Sequence, residues 1–163
     1  MKTFFISLIL CEKIKRNNFL LFYHQELNLF DTKIAIVLLN SLQIWQKLNV
    51  TSFLTSGIIG ENPSLLGDAY EDSSDYNYLP LNRQPVIILE ADLQNLKKIH
   101  LRIINKSLKS SIYINDMFSS GHDEANRKTV KKYQSEELPL VGLAIREKKN
   151  IVDKLIKGSK LHS

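Results

Sequence analysis

The chain has 163 residues, 44% of them hydrophobic, and a formal net charge of +5. That length supports one good core, and the composition excludes a disordered chain. A lone cysteine, Cys11, excludes an internal disulfide, and no apolar run is long enough to span a bilayer, so a cytoplasmic protein without a membrane partner is expected. The positive balance leaves RNA or a nucleotide among the partner classes.

Residues 1–28 differ in character from the rest of the chain. Lys2 and the apolar run 4–10 imitate a signal peptide, but Cys11 is followed by a charged run and preceded by no small pair for a peptidase. The expectation is an extension that is loosely attached or not made in the natural protein, ahead of a single α/β domain over residues 29–163. Residues 33–39 are almost wholly apolar and rich in branched side chains, the pattern of a strand covered on both faces. A helix over 42–57 comes next, with Ser41 placed to cap it. Val50, Leu54, Gly57 and Ile58 share one of its faces; Trp45 and Leu48 share another. Gly57 marks a close approach of backbone to backbone.

Residues 60–83 are polar, rich in turn residues and too long for a plain connection, so they predict a short hairpin or a functional loop. Asp68, Glu71, Asp72 and Asp75 lack the ordered spacing and central glycine of a calcium loop and read as a solvated acidic loop. Residues 85–90 predict a second buried strand, with Pro85 at its first position. Asp92 then caps a helix whose apolar stripe holds Leu93, Leu96, His100 and Ile103. His100 on that stripe predicts a histidine at the edge of the core rather than a metal ligand.

Residues 110–115 alternate and predict a third strand. Asp116 stands at its carboxyl end, where open α/β sheets place functional groups. Ser119, Ser120, His122, Asp123 and Glu124 come after it as a dense polar group. Closeness in sequence does not make a triad or a metal site, and these residues read as the capped start of a basic helix, with no cofactor or metal implied. Residues 138–145 predict a fourth strand with Gly142 at a close approach, and Ile151, Val152, Leu155 and Ile156 a last amphipathic helix. Strands alternating with helices predict a layered α/β domain.

Several stretches together resemble a known family: 32–39 (TKIAIVLL), 42–54 (LQIWQKLNVTSFL), 79–81 (LPL), 83–86 (RQPV), 120–126 (SGHDEAN), 140–143 (LVGL) and 152–158 (VDKLIKG). They look like the bacterial family called domain of unknown function two thousand, over residues 30–162. That family is similar to the type II peptidyl-tRNA hydrolases. The resemblance implies a three-layer α/β/α fold with a mixed four-stranded sheet, often as a homodimer, and places Asp116 where the hydrolases keep an active-site aspartate. The hydrolase lysine-glycine run is replaced here by Trp45, Gln46, Lys47, Leu48 and Asn49, and its final-strand threonine by Pro139. Peptidyl-tRNA hydrolysis itself is therefore not expected.

What remains is a cleft at the strand ends for a small molecule or nucleotide, lined by Trp45, Lys47, Asn49, Asp116, His122 and Asn126. Trp45 would stack on a ring and Lys47 would pair with an anion. The competing reading is a hydrolase of changed substrate in which Asp116 or His122 acts as base toward water.

Overall fold

The computed structural model describes residues 30–162. The expectation for residues 1–28 lies outside the described residues. The unit that begins at Thr32 carries the fold. In chain order its elements are β1 (Thr32–Leu39), α1 (Ile44–Glu61), β2 (Tyr70–Glu71), β3 (Asn77–Tyr78), β4 (Val86–Ala91), α2 (Leu93–Ile104), β5 (Ser111–Ile114), α3 (Asp123–Val130), β6 (Leu140–Lys148), α4 (Lys149–Leu155) and β7 (Lys160–Leu161).

β1 is the central strand. It pairs in parallel with β4 and antiparallel with β6. β5 adds to β6 and β7 to β4, giving the order β5-β6-β1-β4-β7. Side chains alternate across a strand, so the continuous apolar run of β1 must be covered twice. Ile34, Ile36 and Leu38 meet Val50, Leu54 and Ile58 of α1. Ala35 and Val37 meet Leu96, Ile99 and Ile103 of α2 and Val152 and Leu155 of α4 on the other face. Helices thus lie on both faces of a mixed sheet, as the sequence predicts.

The sheet has five strands, not the expected four. The fifth, β7, is two residues long and carries no hydrophobic pattern of its own. It is positioned by neighbours instead. Arg102 of α2 donates from Nη1 to the carbonyls of Leu155 (2.8 Å) and Lys157 (3.1 Å), capping α4. Gly158, at φ +97°, then turns the chain back to β4.

Two cap and glycine readings are also corrected. Gln43, not Ser41, caps α1: its backbone N–H donates to Gln46 Oε1 at 2.9 Å in a capping box. Gly57 and Gly142 admit side chains rather than backbone. A Cβ on Gly57 would lie 2.3 Å from Ser111 Oγ, and one on Gly142 would lie 2.7 Å from Val50 Cγ1 and 3.1 Å from Leu54 Cδ1. Gly142 is the notch in β6 into which α1 settles.

The polar stretch after α1 carries the expected hairpin, β2 with β3. Its acidic residues serve the turn. Asp72 accepts from the Ser74 N–H (2.8 Å), the Tyr76 N–H (3.2 Å) and the Tyr78 hydroxyl (2.9 Å). The Ser74 N–H, with smaller help from the other two donors, holds the Asp72 carboxyl below its ordinary value.

Gly142→Ala is expected to lower stability by about 1–3 kcal/mol through overpacking under α1. Gly60→Ala, with nothing near the new methyl, is expected to gain up to about 1 kcal/mol. Urea unfolding of both variants checks the opposite signs. His100 is 6% exposed, and burial lowers its imidazole below 6.5 despite the opposing charge of Glu136. The unfolded chain therefore binds the proton first, so stability falls as pH drops below 6.5 toward the depressed folded value. In urea midpoints from pH 8 to 5, His100→Leu is expected to flatten that fall; parallel profiles for the two proteins would refute it.

Candidate functional site

β1, β4 and β5 run in one direction, and their carboxyl ends lie at one end of the sheet. The start of α1 and the turn at Asn115–Ser119 meet there. Between them is a cavity of about 320 Å³, lined by Trp45, Asn49 and Phe53 of α1, Tyr113 of β5, Phe118, and the start of α3.

Four rings form its wall in sequence. Trp45 meets Phe118 edge-on at 5.6 Å and 67°. Phe118 lies 5.2 Å from Tyr113, and Tyr113 lies 5.7 Å from Phe53. Offset and tilted ring pairs at these distances are attractive beyond the area they bury. Tyr113 is 5% exposed, but Trp45 stays 61% exposed. An indole held at one edge and open on its face is a shelf.

Polar groups converge on the same space. The Tyr113 hydroxyl donates to Asn49 Oδ1 at 3.3 Å, which leaves the Asn49 amide nitrogen free to donate. Burial raises the Tyr113 phenol above its ordinary value, so it stays a donor. His122 caps α3, its Nδ1 accepting from the Ala125 N–H at 3.3 Å. With that lone pair engaged, a neutral His122 carries its proton on Nε2 and presents a donor. The Ser120 hydroxyl donates to the Met117 carbonyl at 2.9 Å and is also hydrogen-bonded to the Asn126 side chain.

Of the residues expected at the site, Trp45, Asn49, His122 and Asn126 line this cavity, whereas Lys47 and Asp116 do not. Helix geometry separates Lys47. Two residues along a helix is a rotation of about 200°, whereas four is only about 40° beyond a full turn. Asn49 therefore follows Trp45, and Lys47 turns away to lie 3.5 Å from Glu90 of β4. Asp116 is engaged elsewhere too: its Oδ2 accepts from the Tyr133 hydroxyl at 2.8 Å. Tyr133 packs on the cluster under α2 and α4, whereas Phe118 packs on the cluster under α1. The reading from sequence missed Phe53, Tyr113 and Phe118. Phe53 was within reach, since it continues the spacing of Trp45 and Asn49 by one more turn.

The family described as protein of unknown function (DUF2000) matches residues 32–163. The chain belongs to the DUF2000 family. A solved structure of a protein of unknown function, Atu0240 from Agrobacterium tumefaciens strain C58, is 43% identical, with a TM-score of 0.80 over 82% of this chain and 99% of that one. No curated protein matches the chain. The match begins at β1, so every cavity-lining residue lies inside the DUF2000 region.

The hydrogen bond that Tyr133 donates to Asp116 raises its phenol above 10.0, with burial and the Asp116 charge adding to it. Asp116→Asn is expected to bring that titration back toward the ordinary value, read by NMR of ring-labelled tyrosine. An unmoved Tyr133 titration would show that the carboxylate does not hold the phenol.

Proposed function

We propose that this DUF2000 domain binds a small, neutral, planar molecule of about the size of a nucleobase, stacked on Trp45 and held at its edge by Asn49 and His122. The observation that carries this is the half-open indole, fixed by Phe118 and backed by two further rings, beside amide and imidazole donors. The volume, about 320 Å³, is at the small end of ligand pockets and suits one ring system with a short substituent.

Charge argues for a neutral ligand. Lys47 is engaged with Glu90, and the Asp123 carboxylate at the mouth is paired with Arg127 at 2.7 Å. An oxyanion entering here would meet no free lysine or arginine in the lining. The groups facing the cavity suit binding rather than turnover. The His122 lone pair is spent on its cap and the Asp116 carboxylate is held by Tyr133, so neither is poised to take a proton from water in this space. In this reading the scaffold is of the type II peptidyl-tRNA hydrolase kind with its catalytic face given over to recognition. The placement of α1 directly after β1 and of Asp116 directly after β5 supports that kinship.

The protein has one tryptophan, so Trp45 emission reports directly on its own shelf. Titration with free nucleobases, nucleosides and other uncharged heteroaromatics is expected to quench it saturably for at least one of them. By calorimetry, Trp45→Ala and Asn49→Leu are each expected to weaken that ligand by about tenfold, roughly 1.4 kcal/mol. Affinity unchanged by both substitutions, or a panel without one saturable member, would remove the proposal.

A further inference from the structure

The opposite end of the sheet holds a second cavity, of about 540 Å³. It lies at the amino ends of β1 and β5, the carboxyl end of β6 and the last turn of α1, and its lining includes Arg146, Asn62, Ser110 and Ser111. Arg146 is half-buried. Its Nε donates to Gln84 Oε1 at 3.0 Å, and its Nη1 donates to Asn62 Oδ1 at 3.0 Å.

Both acceptors are themselves fixed. Gln84 is 2% exposed, donates to the Thr32 carbonyl at 2.8 Å and accepts from the Thr32 hydroxyl at 3.1 Å. Asn62 donates to the Ile58 carbonyl at 2.9 Å, which sets its oxygen toward Arg146. Two neutral amides therefore aim the guanidinium without neutralising it. Among the described residues, no carboxylate lies within ion-pair distance of Arg146. Glu61, on the cavity wall, is paired with Lys109. Glu147 also lines the cavity, and its Oε2 accepts from the Lys148 N–H at 3.1 Å.

A half-buried, uncompensated cation is costly, and its cost is relieved by a counter-charge. A guanidinium has five N–H donors. With Nε and one Nη1 hydrogen used, the other Nη1 hydrogen and both Nη2 hydrogens remain as donors of the planar fork that fits an oxyanion. The Ser110 and Ser111 hydroxyls have no hydrogen-bond partner among the described residues. Gly57, without a side chain, leaves the room that Ser111 Oγ occupies.

The structure assigns Arg146 as the anchor of a binding site for a small oxyanion, a carboxylate or phosphate group, with Ser110 and Ser111 beside it. The site is separate from the Trp45 cavity and does not rest on the function proposed for it.

The test uses the full chain, with inorganic phosphate in one arm and succinate in the other, at ionic strength matched with sodium chloride. NMR of the Arg146 Nε–H and of the amides of residues 107–111 reads binding, and the arm that saturates identifies the oxyanion. The expected result is saturable shifts in one arm, weakened by about tenfold in Arg146→Gln and weakened less in Arg146→Lys, which keeps charge without the fork. Trp45→Ala is expected to leave the affinity unchanged. Unsaturable shifts in both arms would overturn the assignment, and so would equal affinity in Arg146→Gln. If Arg146→Gln fails to fold, Ser111→Val, which leaves the Arg146 bonds in place, is expected to weaken binding by about threefold; an unchanged value there overturns the assignment as well.

Discussion

β1 is shut off from water on both faces, and that burial dictates where everything else goes. Five consecutive residues, Ile34 to Leu38, are at most 1% exposed. Each fully buried aliphatic side chain contributes about 1.5–3 kcal/mol, so the strand holds only if both faces are covered at once. One face takes a single long helix and the other takes two shorter ones. The long helix can descend because β6 carries a glycine beneath it, where Val50 and Leu54 occupy the space of the missing side chain. The depth of α1 fixes how far Trp45 and Asn49 reach at one end of the sheet and Asn62 at the other.

The parts legible in the sequence are those whose signal is local. The run at 33–39, the cap Asp92 and the alternation at 110–115 each name their element without reference to distant residues, and the structure has all three. The parts that were illegible depend on partners far along the chain. β7 exists because Arg102 and Gly158 turn the chain end onto β4. The bond from Tyr133 to Asp116 spans 17 residues, and the bond from Arg146 to Asn62 spans 84. Nothing in the pattern near either residue marks such a partner. Lys47 is different, because the helical repeat alone separates it from Trp45. Its distance from the cleft was available from sequence spacing.

The two ends of the sheet differ in the charge they leave unspent. Near Trp45 three cations are committed: Lys47 to Glu90, Arg127 to Asp123, Lys128 to Glu124. Exposed pairs one helical turn apart are worth only a few tenths of a kcal/mol, yet they lower the positive potential of α3. The net charge of +5 therefore overstates how attractive this end is to a polyanion. At the far end Arg146 is held by amides, which orient without cancelling charge.

The short turn at Asn115–Ser119 has a consequence for the first cavity. Asp116 leaves it toward Tyr133 and the cluster under α2 and α4; Phe118, two residues on, leaves it toward Trp45 and the cluster under α1. One tight turn thus sends neighbouring side chains to opposite sides of the sheet. Anchoring on both sides fixes Phe118, and through Phe118 the tilt of the Trp45 ring. The Tyr133–Asp116 bond then acts on the shelf from behind, holding the turn that holds the ring. The carboxylate at the end of β5 is thereby tied to a tyrosine 17 residues further along the chain.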